Sequence, residues 1–353
     1  MGMNVDGESR HKQQTHQAER RRNRKSLFSK NKEVKSVIKY TIKRLLIAIP
    51  VFLGITFIVF FLVNIAPGGP LDIMASSGEL SQSDMEALKI SLGLDKPIIV
   101  RYFVWLGELF QGDLGTSYRT SQEVSMMIGQ RLQASLILTG TGIVMAIIIG
   151  VPLGIIAAYK PYSKWDSLAN FIAFLGSCVP NFFLSLILIY VISVKLGWLP
   201  TSGMYSTSGN HEFMDLVRHL ILPAIVCGIQ PIGNYIKQTR ASVLEVLNEE
   251  YIKTARSKGL KESIIVVKHA FRNALIPVVT SISLSIPFLI GGAVVTEQIF
   301  AWPGIGSLMV TAINNRDYPV IMGVTVLISV VVLVANLILD LIYAKLDPRI
   351  SYD

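Results

Sequence analysis

Six stretches of this chain run for 17 to 28 residues without an Asp, Glu, Lys or Arg. They are Leu45–Ala66, Leu132–Tyr159, Ser167–Val194, Leu220–Ile236, Asn273–Thr296 and Tyr318–Leu339. A helix of about 20 apolar residues crosses the hydrocarbon core of a bilayer. Five runs reach that length; the fourth, at 17 residues and carrying Pro223 and Pro231, stands at the lower limit. Lipid offers the backbone no hydrogen-bond partners, so only helices and closed barrels span it. The runs show no period-2 alternation, which selects helices. The expected fold class is therefore an all-α membrane protein with six transmembrane helices. Only 16% of the chain is charged and its mean hydropathy is +0.50. That excludes a soluble enzyme, a disordered scaffold and a fibrous protein. The first run exceeds the about 7–15 apolar residues of a signal peptide and lacks a small-x-small cleavage site. Asn64 to Pro70, with Pro67, Gly68 and Gly69 between, reads as a rigid exit from the helix.

The cations set the orientation. With the N-terminus inside, the inner segments hold 25 of the 33 Lys and Arg residues and the outer loops 8. This is the asymmetry that places positive loops in the cytoplasm, so both termini are expected there. The net charge of +9 is a topology signal, and no nucleic-acid partner is expected. The chain divides into a basic tail, 1–36, expected to be disordered, and a transmembrane domain, 37–353. Arg20, Arg21, Arg22, Arg24 and Lys25 suit the tail to anionic membrane lipid; a regulatory or partner-binding role is the alternative. Cys178 and Cys227 both fall in apolar runs and read as small buried residues.

The outer loop 67–131 is long enough to hold structure. Ser83 and Glu86 form a capping box ahead of Ala87, Leu88, Ile90 and Leu92, with Gly93 as a stop. Ile98–Phe110, after Pro97, is a second amphipathic helix, either packed over the bundle or docking an external partner. The cytoplasmic loop 237–272 is more informative. Val243, Leu247, Tyr251 and Ala255 recur every four residues and predict one apolar helix face. Gly259 ends that helix as a left-handed cap. A second helix, from about Glu262 to Asn273, leads to the fifth run. Helix, glycine, helix makes a protruding knob. It either lies on headgroups or serves as a lever for a cytoplasmic partner.

The chain carries no chemistry of its own that would drive work. It has no P-loop and no His-Glu-x-x-His site. The five histidines are scattered, and His219, bordering a span, reads as structural. None of the six runs holds an ionisable Asp, Glu, Lys, Arg or His, which argues against proton coupling; sodium coupling through backbone carbonyls stays open. The runs do carry Asn181, Gln230, Asn234, Ser281 and Ser285, side chains that either join helices or line a polar passage. A passage needs energy, and a partner must supply it.

Several motifs resemble one known family. Tyr251-Ile252-Lys253-Thr254-Ala255-Arg256-Ser257-Lys258-Gly259-Leu260, with Arg272-Asn273-Ala274-Leu275-Ile276-Pro277 after it, resembles the EAA loop of importer-type ABC permeases in its oligopeptide/dipeptide variant. Five further stretches agree in order: Ala66–Pro70; Leu92–Pro97 with Gly112–Ser117; Trp198–Gly203; Glu297–Gly306; and Asp347–Ile350. The likeness spans about residues 37–350. The general motif has Glu-Ala-Ala, whereas here only Ala255 and Gly259 keep their places. The resemblance implies the type I importer permease fold and a subunit that binds no cofactor and is not itself an enzyme. ATP and Mg would sit on partner subunits. It implies a second homologous permease, two cytoplasmic ATPases, an extracytoplasmic binding protein delivering a peptide, and a place in the cytoplasmic membrane of a prokaryote. Carried over, Glu250, Tyr251, Thr254, Ala255, Arg256, Lys258, Gly259 and Leu260 form the loop that engages an ATPase. Related permeases for nickel chelates or glutathione are an alternative, an ion-coupled secondary carrier a more distant one. No metal-ligand cluster of His or Cys stands in the runs.

Overall fold

The computed structural model describes residues 41–71, 82–207, 212–285, 288 and 293–346. Side chains at 263, 267–269, 272, 276 and 341–346 lie outside that description. So do the basic tail, the closing Asp347–Ile350 motif, His11, His16, His211 and Pro287. The chain divides into two compact units, 1–51 with 337–353, and 52–336. In the first, Arg44 Nε pairs with Asp340 Oδ2 at 3.0 Å.

The helices, in chain order, are α1 (Thr41–Ile65), α2 (Gln82–Ser91), α3 (Ile98–Phe110), α4 (Val124–Tyr159), α5 (Lys164–Cys178) and α6 (Asn181–Leu188). Then come α7 (Phe213–Leu247), α8 (Glu250–Ser257), α9 (Phe271–Ser283), α10 (Val294–Ile299), α11 (Ile305–Asn314) and α12 (Tyr318–Leu346). Among the described residues the only strand-like pairing is an isolated bridge between Thr116 and Glu123. By length and apolar composition α1, α4, α7 and α12 are each long enough to cross a membrane, and the bent pair α5–α6 supplies a fifth crossing if it is one span.

Three of the expected runs take a different form. The third, read as a single helix, is α5 and α6 set at 105° to one another. Pro180 explains the break: a proline drives the residue before it out of the helical region, and Val179 is extended at φ −84°, ψ 119°. Beyond α6 the chain continues as a π-helical stretch, Ile189–Lys195. The fourth run is not short. It is the middle of α7, which extends 35 residues through Pro223 and Pro231 and takes in residues assigned to the cytoplasmic loop. The fifth is entered through Glu262–Ile264 and a π-helical stretch, Ile265–Ala270, with no gap before α9. Its helix closes at Ser283, where Ser285 N–H bonds back to the Ile282 carbonyl and Ser285 Oγ to the Ser281 carbonyl. Serine side chains that bond their own backbone compete with helix continuation. Residues 286–287 and 289–292 of this run are not described.

α7 is the axis on which the unit is assembled. Small residues let its backbone meet its neighbours closely, as apolar helices in lipid require. Gly150 and Gly154 of α4 lie against α7: a Cβ on Gly154 would stand 2.7 Å from Thr239 Cβ and 2.9 Å from the Ile236 carbonyl oxygen. On another side, Gly233 meets Ala173 of α5, where a Cβ would come within 2.9 Å of the Ala173 carbonyl oxygen. The buried residues Ala146, Val151, Ala169, Ala173, Ile232, Tyr235, Ile236 and Val278 form one core across α4, α5, α7 and α9. Cys227 is buried as expected, but Cys178, the last residue of α5 at the bend, is exposed.

The loop between α1 and α4 holds the two expected helices. α2 starts at Gln82, so Ser83 sits within its first turn rather than capping it. Gly93, at φ +65°, ends α2 with Gly93 N–H on the Ile90 carbonyl and Leu94 N–H on the Lys89 carbonyl, the paired bonds of a left-handed helix stop. Two further motifs turn out to be fasteners. Asp317 accepts from Ser117 Oγ at 2.5 Å and Tyr118 N–H at 3.1 Å, tying the Gly112–Ser117 stretch to the start of α12. The Glu297 carboxylate, almost wholly buried, accepts from Ser135 Oγ of α4 at 2.7 Å and Ser307 N–H of α11 at 2.9 Å. Trp302 Nε1 adds a bond of 2.8 Å to the Ala134 carbonyl.

Candidate coupling knob and translocation cleft

The knob forms where α7 stops. Asn248 and Glu249 interrupt the helix, and α8 restarts at Glu250. The interruption shifts the register of the apolar face. Val243 and Leu247 are buried as the four-residue spacing predicts, but the next buried residue is Ile252, fully enclosed, while Tyr251 is exposed. Ala255 then rejoins the face. These side chains pack with Ala158 of α4 and with Ile265, Val266, Ala270 and Ala274 on the approach to and start of α9.

The remaining sequence-nominated knob residues, Glu250, Tyr251, Thr254, Arg256, Lys258, Gly259 and Leu260, are exposed together, and Ala255 faces inward beneath them. Gly259 takes φ +76°. Its N–H bonds to the Arg256 carbonyl at 2.9 Å, and Leu260 N–H reaches the Ala255 carbonyl at 3.5 Å. Nothing lies within 4 Å of where its Cβ would be, so glycine is needed for the backbone angle and not for space. Two ion pairs form within the knob. Lys253 Nζ bonds Glu250 Oε1 at 2.7 Å, and Arg256 makes two bonds, 2.6 and 3.2 Å, to Glu262. That hydrogen-bonded guanidinium holds the Glu262 carboxyl below its ordinary value.

A polar cleft of about 660 Å³ opens between α7 and α9. Four of the five nominated passage residues line it: Gln230 and Asn234 from α7, Ser281 and Ser285 from α9 and its end. Asn181 does not; it begins α6 on the far side of the bend. Sequence reasoning missed Tyr235, Lys237 and Gln238, which also line the cleft. Tyr235 Oη and Ser285 Oγ join its two walls at 2.8 Å. The signal was present in the spacing: 230, 234, 237, 238 and 241 share one face of a helix once α7 is known to continue past Ile236. Lys237 Nζ donates to Ser177 Oγ of α5 at 3.0 Å.

Arg240 is a structural clasp. It grips Asp166 at the start of α5 through Nε at 2.7 Å and Nη2 at 2.9 Å. Asp166 is buried, and its carboxylate also accepts from Tyr162 N–H and Asn170 Nδ2 at 2.8 Å each. A bidentate arginine fixes both distance and orientation. His219 likewise serves structure, with Nδ1 2.9 Å from the Asp215 carbonyl oxygen.

A bundle of apolar helices with a polar cleft, and a knob carried on the two helices that wall it, is the construction of a membrane transport subunit. Residues 150–352 match the family described as the binding-protein-dependent transport system inner membrane component, and residues 37–139 match its N-terminal segment. The chain belongs to that family and is a multi-pass membrane permease. It is 46% identical over 314 residues to the oligopeptide transport system permease protein AppB of Bacillus subtilis, covering 89% of this chain and 99% of that one. It is 37% identical over 339 residues to the dipeptide transport system permease protein DppB of Escherichia coli K12, covering 90% and 99%. Among solved structures, the inward-facing MetNI methionine ABC transporter aligns over 62% of this chain and 97% of that one, at 16% identity and a TM-score of 0.44. At that score the likeness adds nothing to the assignment.

Proposed function

We propose that this chain is one of two homologous permease subunits of an ABC importer that carries oligopeptides or dipeptides across a prokaryotic cytoplasmic membrane. Two cytoplasmic ATPases, with ATP and Mg, supply the energy, and an extracytoplasmic binding protein delivers the peptide. Both termini face the cytoplasm. The observation that carries this reading is connectivity. The knob is the link between α7 and α9, and α7 and α9 are the walls of the cleft. A rigid-body push on α8 therefore moves both walls without any intermediary. The names of the relatives supply the substrate class: permeases for oligopeptides and dipeptides.

Mechanically, Ile252 and Ala255 anchor α8 to the ends of α4, α7 and α9, so the exposed face of α8 is held at a defined height and angle. The cleft offers amides and hydroxyls, groups that can exchange hydrogen bonds with a peptide main chain whatever its side chains. ATP binding and hydrolysis would occur on the partner subunits.

The test begins with a tagged chain purified in mild detergent from its native membrane, followed by mass spectrometry and an ATPase assay. Recovery of a second permease and two P-loop ATPases, and ATP-dependent peptide uptake after reconstitution, is the expected result. Recovery of a lone chain across several detergents, with uptake driven by an ion gradient, would overturn it in favour of a secondary carrier.

A further inference from the structure

Among the described residues that line the cleft between α7 and α9, Lys237 is the one charged side chain. The others carry amides, hydroxyls or apolar groups, and none is a carboxylate. Lys237 is the first residue after the charge-free run Leu220–Ile236. A lysine at the edge of such a run ordinarily carries its ammonium outward to the aqueous interface. This one turns the other way. Its Nζ donates to Ser177 Oγ at 3.0 Å, and Ser177 lies in the last turn of α5, at the bend. That turn packs on α7 well before Lys237: a Cβ on Gly176 would meet the Ile229 carbonyl oxygen and stand 3.6 Å from Gln230 Cα. To reach Ser177 the lysine side chain runs back along α7 toward the level of Gln230. That is the direction in which a helical side chain leaves its Cα. The ammonium is thus drawn into the cleft and away from the knob.

Inside the cleft it meets no counter-charge. Lys237 makes no ion pair among the described residues. The Asp166 carboxylate is already taken by Arg240, Tyr162 N–H and Asn170 Nδ2. Gln230 and Asn234, exposed on the same wall, are neutral. The cleft, at about 660 Å³, falls within the about 300–1,000 Å³ of sites that enclose small ligands. Every unmodified peptide ends in a carboxylate. Taking that charge out of water without a partner is costly, and an ammonium held by one neutral hydroxyl is free to supply the partner.

We infer that Lys237 receives the C-terminal carboxylate of the peptide in the cleft, exchanging its bond to Ser177 for an ion pair with the substrate. This rests on the reading of the chain as a peptide permease and adds to it a residue that senses one end of the substrate. The peptide's ammonium end finds no carboxylate on the described lining, so the recognition is one-sided. A carboxylate of the second permease could pair with the same ammonium, but it would act on assembly and treat all peptides alike.

The experiment uses the full chain purified with its companion subunits and reconstituted into vesicles. ATP-dependent uptake is measured for one short peptide in three forms: free, C-terminally amidated and N-terminally acetylated. The peptide is chosen so that the binding protein binds all three. The quantity read is the ratio of uptake rates between forms, compared between wild type and Lys237→Gln, so that any preference of the binding protein cancels. The free-to-amidated ratio is expected to fall about tenfold in Lys237→Gln, the order of one lost charge-assisted hydrogen bond. The free-to-acetylated ratio is expected to stay unchanged, and Lys237→Arg, which keeps the charge, to keep both wild-type ratios. An unchanged free-to-amidated ratio in Lys237→Gln, an equal fall for all three forms, or a loss of the preference in Lys237→Arg would each overturn the assignment. Absence of ATP-dependent uptake of any form by the wild type would instead remove the peptide-permease reading itself, and the wild type alone tells the two failures apart.

Discussion

α7 presents two faces that behave oppositely. Toward α4 it is dry and tight: Gly142, Gly150 and Gly154 bring the α4 backbone against Cys227, Ile232, Tyr235 and Thr239, and a methyl group has no room. Toward α9 it packs at Val278 but opens beyond it, where the polar side chains Gln230, Asn234, Lys237 and Gln238 border a cleft of about 660 Å³. One helix is thus welded on one side and separable on the other. In a transport subunit the two properties belong together. A wall can move as a unit only if it is fixed to something rigid, and it can conduct only where it is not packed shut.

The sharpest way to break the contrast is to attack the welded side. Gly154→Leu should prevent assembly of α4 on α7, because its side chain would meet backbone and not a flexible tip. Overpacking of this kind costs about 1–3 kcal/mol or more. Loss of the monodisperse peak in fluorescence-detected gel filtration is the expected readout, and a wild-type profile would show that the seam is not tight.

Arg240→Ala removes the clasp that fixes α5 to the same helix. It leaves a buried Asp166 without its cation, a loss of about 3 kcal/mol. The double variant Asp166→Asn/Arg240→Gln should recover much of that stability in thermal melts; failure to recover would mean that the arginine acts elsewhere.

The open side should respond in function and not in folding. Asn234→Leu or Ser281→Leu should leave the melting point nearly unchanged and reduce peptide uptake about tenfold, by removing groups that a polar passage must offer in place of water. If uptake persists while folding is intact, the cleft is not the passage.

The knob is expected to show a smaller structural effect with a large functional one. Gly259→Val strains a left-handed cap by about 1 kcal/mol. It should permit assembly with the ATPases while separating ATP hydrolysis from uptake, and wild-type uptake in this variant would sink the lever mechanism. The smallest effect concerns pH. Glu262 has its folded pKa lowered by the Arg256 hydrogen bond, so the pair stabilises above the ordinary carboxylate range and is lost as pH falls through the lowered folded value. Both side chains are half-exposed, which screens the pair. The protection factor of the Ala255 amide, taken relative to its intrinsic exchange rate at each pH, should therefore stay flat through neutral pH and fall only in acid, and Glu262→Gln should remove that fall.

Much of this could be read in advance because lipid is a demanding solvent. It forces charge out of spans, so the runs around α1, α4 and α12 were legible, as were Gly93 and Gly259, whose stop positions follow from local backbone preference. The candidate cleft was partly legible too: amides and serines inside apolar runs have to go somewhere, and Gln230, Asn234, Ser281 and Ser285 went to one place. Asn181 did not, because Pro180 turns the chain away before it, and the angle of that turn is not a local property. The register slip at Asn248 was equally hidden. Tyr251 fits the four-residue repeat as well as Ile252 does until the break between α7 and α8 is known.

The sequence alone determined that the chain is helical, embedded in a membrane and built with a glycine-ended knob. These follow from solvent exclusion and from the conformations that Gly and Pro allow or forbid. Only the tertiary structure decided which face of α7 is seam and which is cleft, that Arg240 serves Asp166, that Glu297 and Asp317 fasten loops, and that α3 reaches the middle of α1. Each depends on a contact between residues 46 to 200 positions apart, and no local rule of propensity or periodicity carries information over that distance.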